Sequence, residues 1–136
     1  MAEKYLASAS TWYGIMDLNE LTYTINGAIF EVNKTLGSGF LEKVYEQALM
    51  VELTEELGLK AEAQVPMQVY YKGRIVGDYF ADLVVEDQVI LELKAVDELS
   101  KVHEAQLLNY LRAAGCKLGL LVNFQYPKAI VKRFML

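Results

Sequence analysis

Tyr79-Phe80-Ala81-Asp82-Leu83-Val84-Val85-Glu86-Asp87-Gln88-Val89-Ile90-Leu91-Glu92-Leu93-Lys94 is the stretch on which the fold turns. Two β-branched and aromatic runs flank a polar break. Each run is apolar at both odd and even positions, the pattern of a strand covered on both faces. Each also contains residues that such a strand should reject: Asp82 in the first, Glu92 and Lys94 in the second. Burying even a neutral polar group without a partner costs ~2–7 kcal/mol, so these residues need a reason to be there. If Glu86-Asp87-Gln88 is a three-residue connection, Val85 pairs with Val89 and Asp82 falls directly opposite Glu92. Lys94, two residues on, then shares the face of Glu92. Opposed carboxylates repel. A divalent cation resolves the repulsion, and hard oxygen donors of this kind suit Mg²⁺ or Mn²⁺, with the Leu93 backbone carbonyl and water completing the shell. The same residues would also serve as an ion-pair network with Lys94 between the two acids.

Working outward, a third strand precedes these two. From Val65 to Val96 the sequence reads as a three-strand antiparallel meander, broken at Lys72-Gly73 and at Glu86-Asp87-Gln88. Pro66 suits a strand start or an edge. On the N-terminal side, Leu18, Leu21, Ile25, Ile29, Val32 and Leu36 recur at steps of three or four and predict a helix that Gly37 ends. Leu41, Tyr45, Leu49, Leu53 and Leu57 form the apolar row of a second helix, with Gly58 at its C-terminal end, so that the two helices form a hairpin. After the meander, Ser100 to Ala114 returns to helical spacing, with Leu107, Leu108 and Leu111 turned inward. Leu118 to Phe124 and Ile130 to Met135 then read as two final strands. The order ααβββαββ predicts an α+β (mixed α/β) domain, a central mixed sheet flanked by helices.

The helices carry two polar stripes. Glu42, Tyr45 and Glu46 share a face of the second helix, just after Gly37-Ser38-Gly39. His103, Gln106 and Tyr110 lie opposite the leucines of the third. Either stripe taken alone reads as an ordinary solvated face, the lone His103 as a surface histidine, and Cys116 as a small core residue.

Composition bounds the rest. With 136 residues, 54% hydrophobic and 23% charged, the chain suits one soluble domain with one core. We expect residues 17–136 to form it and residues 1–16, which include Tyr5, Trp12 and Tyr13, to be a flexible or partner-docking extension. No apolar run approaches the ~20 residues of a spanning helix, and Met1 to Ser10 lacks the apolar block of a secretory signal. A single cysteine forms no internal disulfide, and a reducing cytoplasm is the expected compartment. The net charge of −5 argues against tight non-specific nucleic-acid binding. Yet no acidic side chain follows Glu104, while Arg112, Lys117, Lys128, Lys132 and Arg133 do. Scattered solubility charges or a local positive surface are both compatible with that run.

Taken in order, Gly39-x-x-Glu42, Asp82, Glu92-x-Lys94 and Gln106-x-x-x-Tyr110 resemble the motifs of the PD-(D/E)xK nuclease superfamily, in particular its RecB-like branch. Within it, Gly39-Phe40-Leu41-Glu42-Lys43-Val44-Tyr45 is similar to the signature of the small GxxExxY proteins. The resemblance runs from about Leu18 to the C-terminus. It implies a restriction-endonuclease-like core and a metal-dependent nuclease using Mg²⁺ or Mn²⁺. Asp82 and Glu92 would be metal ligands together with the Leu93 carbonyl, Glu42 an additional acid on the metal, and Lys94 the residue that activates water. Gln106 and Tyr110 would position substrate or the lysine, and Tyr45 would position substrate. Nucleic acid is the implied partner, DNA ahead of RNA, with no membrane and with homo-oligomers possible. A non-catalytic nucleic-acid or protein-binding or assembly module that keeps the fold is the alternative function, and the intact Asp82, Glu92 and Lys94 count against a binding module. So short and acidic a chain, with no separate DNA-reading module, argues against a sequence-specific monomeric nuclease.

Overall fold

The structure, a computed structural model, describes residues 16–125 and 127–136. The extension expected over 1–16 therefore lies outside the described residues except for Met16, which packs against the core. Helix α1 spans Leu18–Leu36. Asp17 caps it by accepting the Glu20 N–H at 2.9 Å, and Leu21, Ile25, Ala28, Ile29 and Val32 form its buried stripe. Gly37 and Gly39, at φ 72° and 107°, turn the chain where a side chain would be strained. Helix α2 spans Glu42–Met50 and continues as a π-helical segment over Val51–Glu56. Of its expected apolar row, Tyr45, Leu49 and Leu53 are fully buried. Leu41 and Leu57 are not: Leu41 precedes the first turn and is 80% exposed, and Leu57 lies beyond the π-segment, where the row has drifted off the buried face.

Five strands follow in one sheet of order β1-β2-β3-β4-β5: β1 Ala61–Tyr71, β2 Arg74–Val85, β3 Val89–Lys94, β4 Leu118–Asn123 and β5 Ile130–Met135. Helix α3, Lys101–Ala114, connects β3 to β4, which pair in parallel; every other pair is antiparallel. The mixed α+β architecture matches the order read from the sequence. The meander begins at Ala61, four residues before the expected Val65. Lys72 and Gly73, both at positive φ (49° and 78°), make a two-residue turn of the kind that matches the twist of paired strands. Pro66 lies in β1, an edge strand, where a missing N–H is tolerated.

Two apolar layers sandwich the sheet. Helices α1 and α2 cover Leu83, Val85, Val89, Leu91, Leu93, Leu118, Leu120 and Val122. Helix α3 covers Met67, Ala81, Ile90 and Leu121 through Leu107 and Leu111. The α3 layer is thin at Gly119, where a Cβ would stand 2.8 Å from Leu107 Cδ1. Among the described residues no helix is long and apolar enough to cross a membrane.

Strand β3 is buried on both faces, as expected, but β2 is only partly so. Its β3 neighbour reaches no further than Leu83, which pairs with Leu91. Beyond that point Phe80 is 55% exposed, and only β1 accompanies β2 to the hairpin tip. Both strands of this hairpin also change faces midway. Ala61, Ala63, Leu83 and Val85 pack under α1 and α2, whereas Val65, Met67, Tyr79 and Ala81 pack under α3. Strict alternation would keep all of these odd-numbered residues on one side. The switch falls where Gln64 and Asp82 drop out of the ladder, between the pairs Ala63–Leu83 and Val65–Ala81, with Gln64 at φ 53°.

Candidate functional site

The sum that pairs Val85 with Val89 holds through Val84–Ile90 and Leu83–Leu91. The next step would set Asp82 against Glu92, and there the ladder stops. In place of backbone pairing, the Asp82 N–H donates to Glu92 Oε1 at 3.2 Å, and the Leu93 N–H donates to Asp82 Oδ2 at 2.8 Å. Each carboxylate takes a backbone donor from the other's strand, so the two acids are locked together at the point where β2 and β3 part.

Burial makes this pairing costly. Glu92 is 6% exposed. Burial first, then the negative charge of Asp82, push its carboxyl up from 4.5 to about 8; the Asp82 N–H and the charge of Lys94 oppose the rise without cancelling it. Lys94 ends β3, half-buried, and its carbonyl accepts the Phe124 N–H at 2.9 Å, which ties it to the start of the loop after β4.

Glu42 approaches from the first turn of α2. It lines a cavity of about 200 Å³ with Lys43, Glu46, Gln64, Asp82 and Leu93, and its Oε2 accepts the Ala95 N–H at 3.2 Å. Tyr45 is placed otherwise. It is fully buried, stacked on Phe124 with ring centroids 4.3 Å apart, and its hydroxyl donates to the Gly37 carbonyl at 2.7 Å and accepts from the Phe40 N–H at 3.3 Å. It pins the turn that aims Glu42 and has no surface to offer a substrate.

Gln106 and Tyr110 lie on the α3 side and share a cavity of about 790 Å³ with Tyr79, Gln68 and Arg112. Tyr79 and Tyr110 pack ring against ring at 4.2 Å. Both phenols are pushed above their ordinary value by burial and then by the charge of Glu92, which puts them within its electrostatic reach. The Tyr79 hydroxyl is buried without a hydrogen-bond partner. His103 has a local role: its Nδ1 accepts the Ser100 N–H and its own N–H donates to Ser100 Oγ, a capping box at the start of α3. Cys116 is half-buried against the α3 layer. The late basic residues are partly engaged, Lys132 with Glu104 at 3.3 Å and Arg133 with Asn19.

Two residues of the site escaped the sequence reading. Glu46, named there only as part of a stripe, is 3% exposed and pairs with Lys43 at 2.8 Å. Gln64 donates through Nε2 to Glu46 Oε1 and, at 3.4 Å, to Asp82 Oδ1. The Lys43–Glu46 spacing of three was a readable signal; nothing in the sequence singles out Gln64.

Among the described residues no three His, Cys, Asp or Glu side chains stand close enough together to cage a metal ion. The donor chemistry nonetheless fits a divalent cation. Asp82 and Glu92 offer hard oxygens, and the repulsion that raises Glu92 is what such an ion relieves. Leu93 and water would have to supply the remaining ligands.

Residues 19–134 match the family described as the PD-(D/E)XK nuclease superfamily. Among solved structures, the crystal structure of SSO0001 is similar, with a TM-score of 0.56 at 18% identity, covering 68% of this chain and 48% of that one. The chain therefore spans about half the length of that protein, and the likeness is one of fold. An alkaline exonuclease (LHK-Exo) from Laribacter hongkongensis also matches, at a TM-score of 0.42 and 11% identity, over 89% of this chain and 71% of that one. No curated protein matches.

Proposed function

Since the chain belongs to the PD-(D/E)XK nuclease superfamily, we propose that it is a Mg²⁺- or Mn²⁺-dependent nuclease that hydrolyses phosphodiester bonds in nucleic acid, DNA ahead of RNA. In this reading it is of the RecB-like branch and the GxxExxY group, with residues 17–136 as the catalytic domain. The observation that carries the proposal is the locked pair of Asp82 and Glu92, where a buried acid stands at about 8 beside a second carboxylate. Asp82, Glu92 and the Leu93 carbonyl would hold the metal, and Glu42 would join them directly or through water. Bound there, the metal would supply Lewis-acid polarisation of the phosphate and a water of lowered pKa.

The chain's own groups do the rest. The hydrogen bonds from the Asp82 and Leu93 N–H groups orient both carboxylates before any ligand arrives. Lys94, on the strand of Glu92, would orient the attacking water and, through its positive charge, favour the loss of that water's proton. Gln106 and Tyr110 line the larger cavity on the α3 side and would position the strand to be cut. A reducing cytoplasm suits a chain with one cysteine, and homo-oligomerisation would widen the substrate-binding surface of so small a domain.

The test is cleavage of end-labelled single-stranded and duplex DNA and RNA in Mg²⁺ or Mn²⁺, repeated in chelator. We expect cutting that the chelator stops and that Lys94→Ala lowers by ~10²–10⁴-fold, with metal affinity retained in the variant. Equal cleavage by wild type and Lys94→Ala would contradict the proposal.

A further inference from the structure

Gln64 combines a left-handed backbone with a side chain that reaches two carboxylates. Its backbone is left-handed at φ 53°, a region that favours glycine and, among other residues, Asn, Asp and His. The conformation does not serve to reverse the chain, because β1 continues and the ladder resumes in the same register, Ala63 opposite Leu83 and Val65 opposite Ala81. It gains no burial either, since the side chain is exposed. It accompanies the change of face of β1, and it also places the side chain: the amide of Gln64 bridges Glu46 Oε1 and Asp82 Oδ1, the latter at 3.4 Å. Strained backbone persists where surrounding structure holds it, and irregularities in paired strands often serve to re-aim a side chain.

The consequence falls on Asp82. Its Oδ2 is fixed by the Leu93 N–H at 2.8 Å, and its Oδ1 faces the Gln64 amide. Glu46 anchors that amide from behind; it is itself held by Lys43 and buried to 3% exposure. We infer that Gln64 is a positioning residue: from the left-handed step at which β1 changes faces, a Lys43–Glu46–Gln64 relay holds the Asp82 carboxylate in place for a divalent cation. The inference rests on the reading of Asp82 as a metal-binding carboxylate. Gln64 touches neither metal nor substrate in this role. It acts as the hydrogen-bonded supports of ligating carboxylates do, whose loss lowers metal affinity or activity by ~10–100-fold.

Gln64→Gly separates positioning from structure, because glycine adopts the left-handed conformation freely while removing the amide. Two readouts are needed on the full chain: the denaturation midpoint without metal, and the Mn²⁺ dissociation constant by calorimetry. The expected result is an unchanged or higher midpoint together with Mn²⁺ binding weakened ~10-fold or more. Gln64→Asn, which tolerates the same backbone but is one methylene short of the bridge, should show the same loss of affinity. A clearly lowered midpoint in Gln64→Gly means that the residue serves the fold and overturns the inference. Wild-type Mn²⁺ affinity in both variants overturns it alone and leaves the metal site standing. A wild-type protein that takes up no Mn²⁺ overturns the reading of Asp82 and this inference together.

Discussion

Glu46 and Glu92 are both glutamates with almost no solvent exposure, 3% and 6%, and they end in opposite states. Burial works to raise both. At Glu46 it is outweighed by hydrogen bonds and charge from Lys43, with Gln64 and Gln47 adding theirs, and the carboxyl is held below its ordinary 4.5. At Glu92 burial is reinforced by Asp82, and the carboxyl rises to about 8. The difference lies in the company each residue keeps. An acid that the fold uses arrives with a cation one helical turn away. An acid whose nearest charged neighbour is another acid is what a site for an external cation requires.

The contrast is most exposed to pH, and there the largest effect should appear. The folded protein keeps a proton on Glu92 up to about 8 while the unfolded chain releases it near 4.5. Unfolding between those values therefore releases a proton, so the contribution of Glu92 to metal-free stability is full below 4.5 and is lost as pH rises through 8. At ~1.4 kcal/mol per pH unit in the steepest part, the total is a few kcal/mol, readable by denaturant titration from pH 4 to 9. Glu92→Gln should flatten that limb. If wild type and Glu92→Gln follow the same curve, Glu92 is not the strained member of the pair.

Glu46 predicts the opposite limb. Its folded value lies below its unfolded one, so its contribution is present above 4.5 and is lost as pH falls below it. Glu46→Ala should cost about 2 kcal/mol near neutrality, the scale of hydrogen bonds to a charged group, and remove that acid limb. An undiminished melting temperature would place Glu46 with Glu92 rather than against it.

The smallest effect sharpens the comparison most. Asp82→Asn removes the neighbouring charge at nearly constant shape, and an amide oxygen can still accept the Leu93 N–H. Stability without metal should stay level or rise by about 1 kcal/mol, as expected when a like-charge contact is relieved, and the stabilisation conferred by Mn²⁺ should shrink. A marked loss of metal-free stability would make the pair a structural ion-pair network.

Much of this was legible in the sequence because turns and register are local. The three-residue break after Val85 fixed the partnership of β2 and β3, and with it the meeting of Asp82 and Glu92; Lys72-Gly73 and Gly37 marked turns that the backbone makes. What could not be read depends on where neighbouring elements stop. Phe80 looked internal because its run is apolar, but β2 parts from β3 before reaching it. Tyr45 sat on a stripe with two acids and looked available, yet the ring fills the core and the hydroxyl closes the turn. Gln64 is invisible to pattern because its role depends on a backbone flip that no residue type announces, and it becomes meaningful only once α2 brings Glu46 over β1.

The central claim is that Asp82 and Glu92 form a cation site whose charge the chain itself leaves uncompensated. The most direct measurement is the titration of the Glu92 side-chain carboxyl by ¹³C NMR, without metal and in saturating Mg²⁺. Without metal it should titrate near 8. In Mg²⁺ it should fall below the ordinary carboxylate value, since a bound cation favours the charged form. A Glu92 that titrates near 8 in both conditions, or near 4.5 without metal, would contradict the claim.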